Sequence, residues 1–430
     1  MTTTSNDAMR RQSAQPRGVA AAAGPQRRRS FSTYSREYAF VVAPGRGPAG
    51  ARNAARVISR DALYMRRALQ LARRASGETS PNPMVGAVIV NARGRVVGEG
   101  YHRRAGWPHA EVEALRRAGA RARGATLYVN LEPCSHQGRT PPCCDAVVGA
   151  GLARVVAAMR DPNPLVNGRG MARLRRAGIG VTLGVEAEAA ASLNAPFIKR
   201  MTQRLPWVVV KIAQSLDGKI ATATGASRWI SSPASRRFAH ELRRGADAVL
   251  VGVNTVRRDD PRLSVRDAAR PSRPGRPMIV IVDSRLRTPV RSRCLRPNPP
   301  VPVLIATTNR SKRARQPFER LGVQVLTFAP RRGRVPLRRL CRALSDQCGV
   351  SSLLVEGGGE VVAGALEERL VDRVVWIIAP LLVGGRASPS SVGGAGVARL
   401  ARAVRLTDVQ VRRLGPDVVC EASVAYPASQ

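Results

Sequence analysis

The chain has 430 residues, 44% of them hydrophobic, and a formal net charge of +42. This length exceeds what one compact hydrophobic core organises, so we expect more than one domain. No apolar run is long enough to cross a bilayer, and we expect no membrane partner; residues 374–383 come nearest, but Pro380 interrupts them and they predict a buried strand.

The basic residues are almost all arginine and are spread along the whole chain. Only four of the 71 are lysine. A nucleic-acid footprint should be clustered on one face. Even spreading, together with abundant alanine, glycine and proline, is more typical of a GC-rich genome. We therefore expect no nucleic-acid partner, although the charge also suits anionic small molecules.

The cysteines indicate a metal site and not a disulfide framework. Four of the seven are scattered singly, whereas Cys134, Cys143 and Cys144 cluster. This pattern favours a reducing compartment, and we expect a cytoplasmic protein.

Residues 1–58 form an Arg-, Ala- and Gly-rich segment without apolar periodicity, which predicts a disordered extension. Its ten arginines against only Asp7 and Glu37 also resemble an organellar transit peptide, which would change the localisation. A start codon assigned too early explains the same composition.

Residues 59–200 are predicted to form an α/β domain, because helix-like and strand-like segments alternate. Asp61 is expected to cap the first helix. The predicted helices are 61–75, 109–120 and 143–150, and the predicted strands are 85–90, a second through Val97, 125–131 and 153–158.

A linker is expected at residues 195–206, and a second α/β domain at residues 206–430. No internal repeat is visible. The predicted strands are 207–213, 248–253, 278–283, 302–306, 352–355 and 373–383, and the predicted helices are 233–244, 336–346 and one after Gly359.

Three residues have the types and spacing of ligands to one catalytic zinc ion. His109 stands where a helix begins, Cys134 directly follows a strand, and Cys143 opens the next helix behind two prolines. Three protein ligands leave a fourth tetrahedral position for water, whose pKa the metal lowers. Glu111, two positions from a ligand, is suited to proton transfer, and His-x-Glu followed by Pro-Cys and a further Cys is the zinc-deaminase pattern.

The alternative is a closed structural zinc site with His136 or Cys144 as the fourth ligand. The helix-start His109-Ala-Glu111 favours catalysis over that arrangement. We expect Cys144 to pack in the core, since it faces away from Cys143 on the helix, and His136 stays ambiguous.

The second domain offers weaker signals. Lys211 lies on an apolar strand, where its charge is costly unless it meets an anion or reaches water at an edge. Residues 355–359 read as a strand and then a glycine turn opening a helix, an arrangement suited to phosphate but common in proteins.

The segments Ser80 to Gly86, His109 to Glu111, Leu131 to Cys143 and Asp161 to Pro164 are together similar to the bifunctional riboflavin-biosynthesis deaminase/reductases. The nine-residue step between the two cysteines separates that family from tRNA, DNA and cytidine deaminases, which use Cys-x-x-Cys. The resemblance extends over nearly everything after residue 60.

For the first domain the resemblance implies a cytidine-deaminase-like three-layer fold. It also implies zinc-dependent deamination of 2,5-diamino-6-ribosylamino-4(3H)-pyrimidinone 5′-phosphate, a small phosphorylated pyrimidine. Asn82 and His102 would hold the pyrimidine; without the resemblance, a turn-forming Asn and a solvated loop His explain them equally well.

For the second domain the resemblance implies a dihydrofolate-reductase-like fold and NADPH-dependent reduction of the ribosyl to the ribityl chain. A homo-oligomer is also expected. The implied substrate residues are Lys211, Ser227, Arg243, Leu263, Arg266 and Glu356. The implied NADPH residues are Ala213, Trp229, Thr255, Asp259, Ser284, Gly358, Gly359, Glu360, Val361, Val362, Ala363 and Gly364.

Three other functions remain open at this point. An RNA-editing deaminase fits the charge and the zinc pattern, but not the cysteine spacing or the 4% aromatic content. A deaminase with an inactive reductase half, and a non-catalytic zinc-stabilised binding module, are the others.

Overall fold

The computed structural model describes residues 59–138, 141–265, 276–297 and 300–428. The predicted extension at residues 1–58 and the predicted substrate residue Arg266 lie outside these ranges. In the described part of the chain, no helix is both long enough and apolar enough to pass through a membrane.

The first domain, as far as it is described, is built on a five-stranded sheet, whose strands are β1 (Gly86–Val90), β2 (Val96–Tyr101), β3 (Thr126–Val129), β4 (Arg154–Ala157) and β5 (Gly180–Leu183). Their order in the sheet is β2-β1-β3-β4-β5, with β3, β4 and β5 parallel. Its helices are α1 (Arg60–Arg73), α2 (Ala110–Ala118), α3 (Cys143–Gly149), α4 (Arg169–Arg176), α5 (Ala187–Leu193) and α6 (Ala195–Gln203).

Two hydrophobic cores cover the two faces of this sheet, because successive strand residues point to opposite sides. Val88 and Val90 pack with α1 and α5, whereas Ala87 and Ile89 pack with α2 and α3. Gly98 in β2 lets α2 approach closely: a Cβ there would lie 2.2 Å from the Ala114 carbonyl oxygen. This close packing sets the position of α2 and therefore of His109 at its start.

The predicted linker at residues 195–206 is wrong, because most of it is helix α6. Asn194 precedes the helix, Pro196 occupies its first turn, and Phe197 and Lys199 are buried. The Lys199 Nζ lies 2.5 Å from the Asp372 carboxylate of the second domain. The segment is therefore a packed connection and not a loose one.

The predicted cap of α1 is also wrong. The Ser59 hydroxyl accepts a hydrogen bond from the Ala62 N–H, whereas Asp61 lies inside the first turn. The Asp61 carboxylate instead accepts from Arg154 at 2.7 Å and from the Tyr128 hydroxyl at 2.8 Å. These partners come from strands, so the sequence pattern of a helix start could not show them.

The second domain is built on a nine-stranded sheet in the described residues, whose strands are β6 (Trp207–Ser215), β7 (Ala248–Gly252), β8 (Met278–Val282), β9 (Val303–Thr307), β10 (Gln324–Thr327), β11 (Ser352–Glu356), β12 (Val371–Ala379), β13 (Arg405–Leu414) and β14 (Asp417–Ala425). Their order in the sheet is β10-β9-β8-β7-β11-β6-β12-β14-β13. The first seven strands of this order are parallel, and β14 and β13 add antiparallel pairs at one end. The helices are α7 (Pro233–Gly245), α8 (Val253–Asp259), α9 (Lys312–Glu319), α10 (Leu337–Cys348) and α11 (Gly359–Glu367).

The parallel strands of this sheet end at one edge, and the loops that follow them line the same opening. Two buried clusters cover the faces of the sheet, one with α10 and α11 and one with α7 and α8.

The strand predicted at residues 373–383 ends at Ala379, directly before Pro380. Strands β13 and β14 had not been predicted; β13 is largely exposed, so its apolar pattern is weak.

Candidate active sites

Three chain segments bring the predicted zinc ligands together. His109 is the residue before α2, Cys134 lies beyond the end of β3, and Cys143 is the first residue of α3. The His109 Nδ1 lies 3.1 Å from the Cys143 Sγ and 3.6 Å from the Cys134 Sγ. All three donor atoms lie within 4.8 Å of one another, as ligands of one ion must.

The surroundings of Cys134 favour its thiolate, the form that binds zinc. The hydrogen bond from the Cys143 thiol, together with His109, lowers the pKa of Cys134 to about 4, although burial acts to raise it. The Cys143 backbone N–H also donates to the Cys134 Sγ at 3.3 Å. The donor set therefore fits a divalent zinc ion.

Glu111 lies beside this triad in the first turn of α2 and is 4% exposed. Its Oε2 has no hydrogen-bond partner among the described residues. Burial raises the pKa of Glu111 to about 7. A carboxyl group of this kind can take up and release a proton near neutral pH.

The two candidate fourth ligands do not join the donor cluster found in the described residues. The Cys144 thiol points away and donates to the Pro133 carbonyl oxygen at 3.4 Å and to that of Gly170 at 3.6 Å. Cys144 therefore packs in the core, as expected from its position on the helix. Three protein donors remain, which leaves one position of a tetrahedral ion for water.

Asn82 and His102 lie next to the triad. The Asn82 Nδ2 is 3.1 Å from the His102 Nε2, and the His102 ring meets the His109 ring edge-on with centroids 5.2 Å apart. Burial lowers the pKa of His102, which favours a neutral ring. A loop histidine in water is thereby excluded for His102, since it is 2% exposed.

The sequence analysis missed Glu132, a buried carboxylate beside Pro133 and Cys134. Its two oxygens accept hydrogen bonds from the backbone N–H groups of Asp161 at 3.2 Å, Gly168 at 2.8 Å and Met171 at 3.1 Å. Glu132 thus ties the loop before α4 to the Cys134 segment. A buried acid directly before a ligand cysteine was the available signal.

The second site is a cavity of about 2000 Å³ at the carboxyl edge of the large sheet. It is lined by most of the residues that the resemblance assigned to the substrate and NADPH. These are Lys211, Ala213, Ser227, Trp229, Arg243, Thr255, Asp259, Leu263, Ser284, Glu356, Gly358, Gly359, Glu360, Val361 and Gly364.

Val362 and Ala363 do not line this cavity. Both are buried, and Val362 belongs to the hydrophobic cluster beneath α11. Leu263 is 3% exposed and packs with the core near α7, so little of its side chain reaches the cavity.

A cluster of three charged side chains forms the floor of the cavity. Lys211 in β6 and Glu356 in β11 are paired neighbours in the sheet. The Glu356 carboxylate accepts from Arg243 Nε at 2.5 Å and Nη2 at 2.8 Å. Burial acts to raise the pKa of Glu356, but Arg243 outweighs it and the pKa is lowered. Arg243 and Glu356 neutralise each other, and burial lowers the pKa of Lys211. A protonated Lys211 gives the cluster one excess positive charge, which suits a phosphate-bearing substrate.

The glycine turn after β11 opens α11. Gly357 and Gly358 have φ values of +85° and +83°, which other residues rarely adopt. A Cβ on Gly358 would lie 3.3 Å from the Thr255 Oγ1. The turn therefore presents bare backbone to the cavity at a helix start, where N–H groups bind phosphate.

Ser227 and Asp259 lie in contact across the cavity wall. The Ser227 hydroxyl donates to the Asp259 carboxylate at 2.7 Å, and Arg228 donates to the Asp259 carbonyl oxygen. Trp229 is 67% exposed, with the Arg236 guanidinium 4.4 Å from its ring centroid.

An arginine-rich turn also lines the cavity and was missed by the sequence analysis. Arg331 and Arg334 form a tight backbone turn, and the next N–H, that of Val335, donates to the Ser284 Oγ at 3.2 Å. Arg334 pairs with Glu360 at 2.8 Å, whereas Arg331 and Arg332 are exposed. The signal was the Arg-Arg-Gly-Arg run, which an arginine-rich chain conceals.

Two family models match the chain. Residues 58–159 match the cytidine and deoxycytidylate deaminase zinc-binding region, and residues 206–420 match the RibD C-terminal domain. The riboflavin biosynthesis protein RibD of Aquifex aeolicus is 45% identical over 359 residues, which cover 84% of this chain and 97% of that protein. The chain belongs to the RibD family.

Other RibD proteins are similar to this chain over nearly the same residues. The Escherichia coli protein is 44% identical, covering 83% of this chain and 98% of its own length. Among solved structures, Acinetobacter baumannii RibD is 38% identical with a TM-score of 0.77, and a Thermotoga maritima diaminohydroxyphosphoribosylaminopyrimidine deaminase/5-amino-6-(5-phosphoribosylamino)uracil reductase is 32% identical with a TM-score of 0.73. Each structure covers 85% of this chain and 99% of its own.

Membership of the RibD family confirms the predicted fold class, a cytidine-deaminase-like domain followed by a dihydrofolate-reductase-like domain. It also confirms the predicted function: this is a bifunctional enzyme of riboflavin biosynthesis with deaminase and reductase activities. A zinc-binding deaminase region and a nicotinamide-dependent reductase go with these activities, and the RNA-editing alternative is not favoured.

Proposed function

We propose that the first domain, residues 59–200, deaminates 2,5-diamino-6-ribosylamino-4(3H)-pyrimidinone 5′-phosphate at its 2-amino group. His109, Cys134 and Cys143 would hold one zinc ion, which when bound supplies the activation of a water molecule. The single observation that carries this proposal is the buried Glu111 carboxylate, partnerless at Oε2 among the described residues and beside three zinc donors within 4.8 Å.

Glu111 moves the protons of this reaction. Its Oε2 takes the proton that water loses as oxygen bonds to the ring carbon, and returns a proton to the departing amino group. The amine-bearing carbon gains a carbonyl oxygen and ammonia leaves. Asn82 and His102 bind the pyrimidine edge, and their hydrogen bond keeps both side chains oriented toward the ring.

We propose that residues 206–430 then reduce the ribosyl chain of the product to a ribityl chain. NADPH, when bound, supplies the hydride. Lys211, Arg243 and Glu356 bind the substrate at the cavity floor, with Ser227, Leu263 and Arg266 assigned to the same ligand.

The glycine turn and its neighbours are assigned to the cofactor. Residues 358–361 and Gly364, with Ala213, Trp229, Thr255, Asp259 and Ser284, form this binding surface, whereas Val362 and Ala363 are buried beneath it. Arg331 and Arg332 beside Ser284 support NADPH over NADH, because guanidinium groups pair with the additional phosphate. We also expect a homo-oligomer and no nucleic-acid partner.

Mass spectrometry of the products with and without NADPH tests both halves together. Zinc-loaded protein given the diaminopyrimidine phosphate alone should release ammonia and accumulate the deaminated ribosyl compound. Adding NADPH should convert that compound to a product with two more hydrogens. Without any ammonia release the deaminase proposal fails. Ammonia release without the second step would instead mean an inactive reductase half.

A further inference from the structure

One hydrogen bond joins the reductase domain to the loop that carries Asn82. The Ser80 hydroxyl donates to the Asp247 Oδ2 at 2.7 Å. Ser80 lies two positions before Asn82, whereas Asp247 lies directly before β7 in the large sheet. The two residues are 167 positions apart and border a crevice of about 50 Å³ between the domains.

The reductase sheet holds Asp247 in a fixed place. The Asp247 carboxylate, 3% exposed, accepts from the backbone N–H groups of Ser351 at 2.9 Å and Ser352 at 3.1 Å, and pairs with Arg276 at 3.2 Å. Its own N–H donates to the Ser352 hydroxyl at 2.9 Å. A buried carboxylate with this many partners has little freedom to move, so it is a rigid anchor.

The loop is anchored on both sides of Asn82. On the far side, the Asn194 side chain accepts a hydrogen bond from the Met84 N–H at 2.8 Å and donates one to the Met84 carbonyl oxygen at 3.0 Å. On the near side, Ser80 is bound to Asp247. Between these anchors, the Asn82 N–H donates to the Thr79 carbonyl oxygen at 2.9 Å, which keeps the turn tight.

The contacts continue from this loop to the metal ligands. The Asn82 side chain meets His102, and the His102 ring meets that of His109. We propose that Asp247 of the reductase domain is a positioning residue for the deaminase site, acting through Ser80 on Asn82. This inference rests on the proposed pyrimidine-binding role of Asn82.

The test is Ser80→Ala in the full-length, zinc-loaded enzyme, with Ser80→Thr as the rescue variant that retains the hydroxyl. Arg204→Ala is the matched control, because Arg204 also joins the domains, through Asp346 at 2.8 Å, but does not touch the Ser80 loop. Steady-state deamination of the diaminopyrimidine phosphate, NADPH oxidation with the deaminated compound, and zinc content are measured for each.

We expect Ser80→Ala to raise the deaminase KM roughly ten-fold, the low end for the loss of one hydrogen bond to a charged group, while kcat changes less. Zinc content and NADPH oxidation stay at wild-type values, Ser80→Thr restores the KM, and Arg204→Ala leaves it unchanged. A wild-type KM in Ser80→Ala overturns the inference, as does an equal loss of both activities, which indicates a structural role only. If the wild-type enzyme itself releases no ammonia, the proposed function fails and the inference with it.

Discussion

The deaminase site and the reductase cavity are built in different ways. The deaminase site gathers three donors, within 4.8 Å of one another, and the buried Glu111 carboxylate from residues 109–143. The reductase cavity takes its lining from residues 211–396 and encloses about 2000 Å³. A small site for one ion and one water needs a few side chains at neighbouring element ends, whereas a dinucleotide and a sugar phosphate need a whole sheet edge. Single substitutions should therefore abolish deamination more completely than reduction.

The largest effect is expected for Cys134→Ala. Removing one of three donors should lower zinc binding and reduce deamination below detection, because a two-donor site binds the metal poorly. NADPH oxidation should persist. Metal analysis and both assays measure this, and Cys144→Ala is the matched control, since Cys144 is not a donor. Full zinc occupancy in Cys134→Ala would contradict the assigned ligand set.

The next largest effect is expected for Glu111→Gln. Its kcat for deamination should be lowered about 10²- to 10⁴-fold, which is the usual contribution of a proton-transferring side chain. Zinc content should be retained, because Glu111 is not among the donors. Steady-state ammonia release is the measurement. Full activity in this variant would show that Glu111 does not carry the proton in this reaction.

Glu356→Gln should affect the reductase half through stability as well as substrate binding. Breaking a buried ion pair on one side costs roughly 3–5 kcal/mol of unfolding free energy, because Arg243 and Lys211 then lack their counter-charge. Denaturant unfolding of the full chain, followed together with NADPH oxidation, measures it. An unchanged unfolding curve would show that the Arg243–Glu356 ion pair does not contribute to the unfolding free energy.

The same pair predicts a pH dependence of stability. The pKa of Glu356 is lowered in the folded state by Arg243, so its stabilising contribution is present above the ordinary carboxyl pKa and is lost as the pH falls through the lowered value. Wild-type unfolding free energy should therefore fall on acidification more than that of Glu356→Gln. Parallel curves for the two proteins would contradict this assignment.

The smallest of these effects is expected for the double variant Arg331→Glu with Arg332→Glu. The KM for NADPH should rise roughly ten-fold, since two exposed positive charges beside the cofactor phosphate become negative. The KM for NADH should change much less, and deamination should not change. The double variant Lys312→Glu with Arg313→Glu, on the exposed start of α9, is the charge-matched control. Equal loss with both cofactors would mean that the turn does not select NADPH.

The difference between the compact deaminase site and the extended reductase cavity also explains how far each could be predicted from the sequence. The candidate zinc donors and Glu111 could be proposed from the sequence because each is tied to a helix start or a strand end by nearby residues. The reductase residues came almost entirely from resemblance, because a lysine on a strand or a glycine turn is common. Helix α6 was taken for a linker since its burial depends on the second domain, as the Lys199–Asp372 pair shows.

The sequence by itself determined the family, the alternating α/β architecture and the bifunctional chemistry, and it singled out the candidate zinc donors, because local patterns and motif spacing carry them. The tertiary structure alone decided which distant groups meet: Glu132 with the loop before α4, the arginine turn with Ser284, and Asp247 with Ser80. These contacts are made by polar side chains without periodicity, across 36, 51 and 167 positions. Only the packing of sheets and domains brings such groups within hydrogen-bond distance.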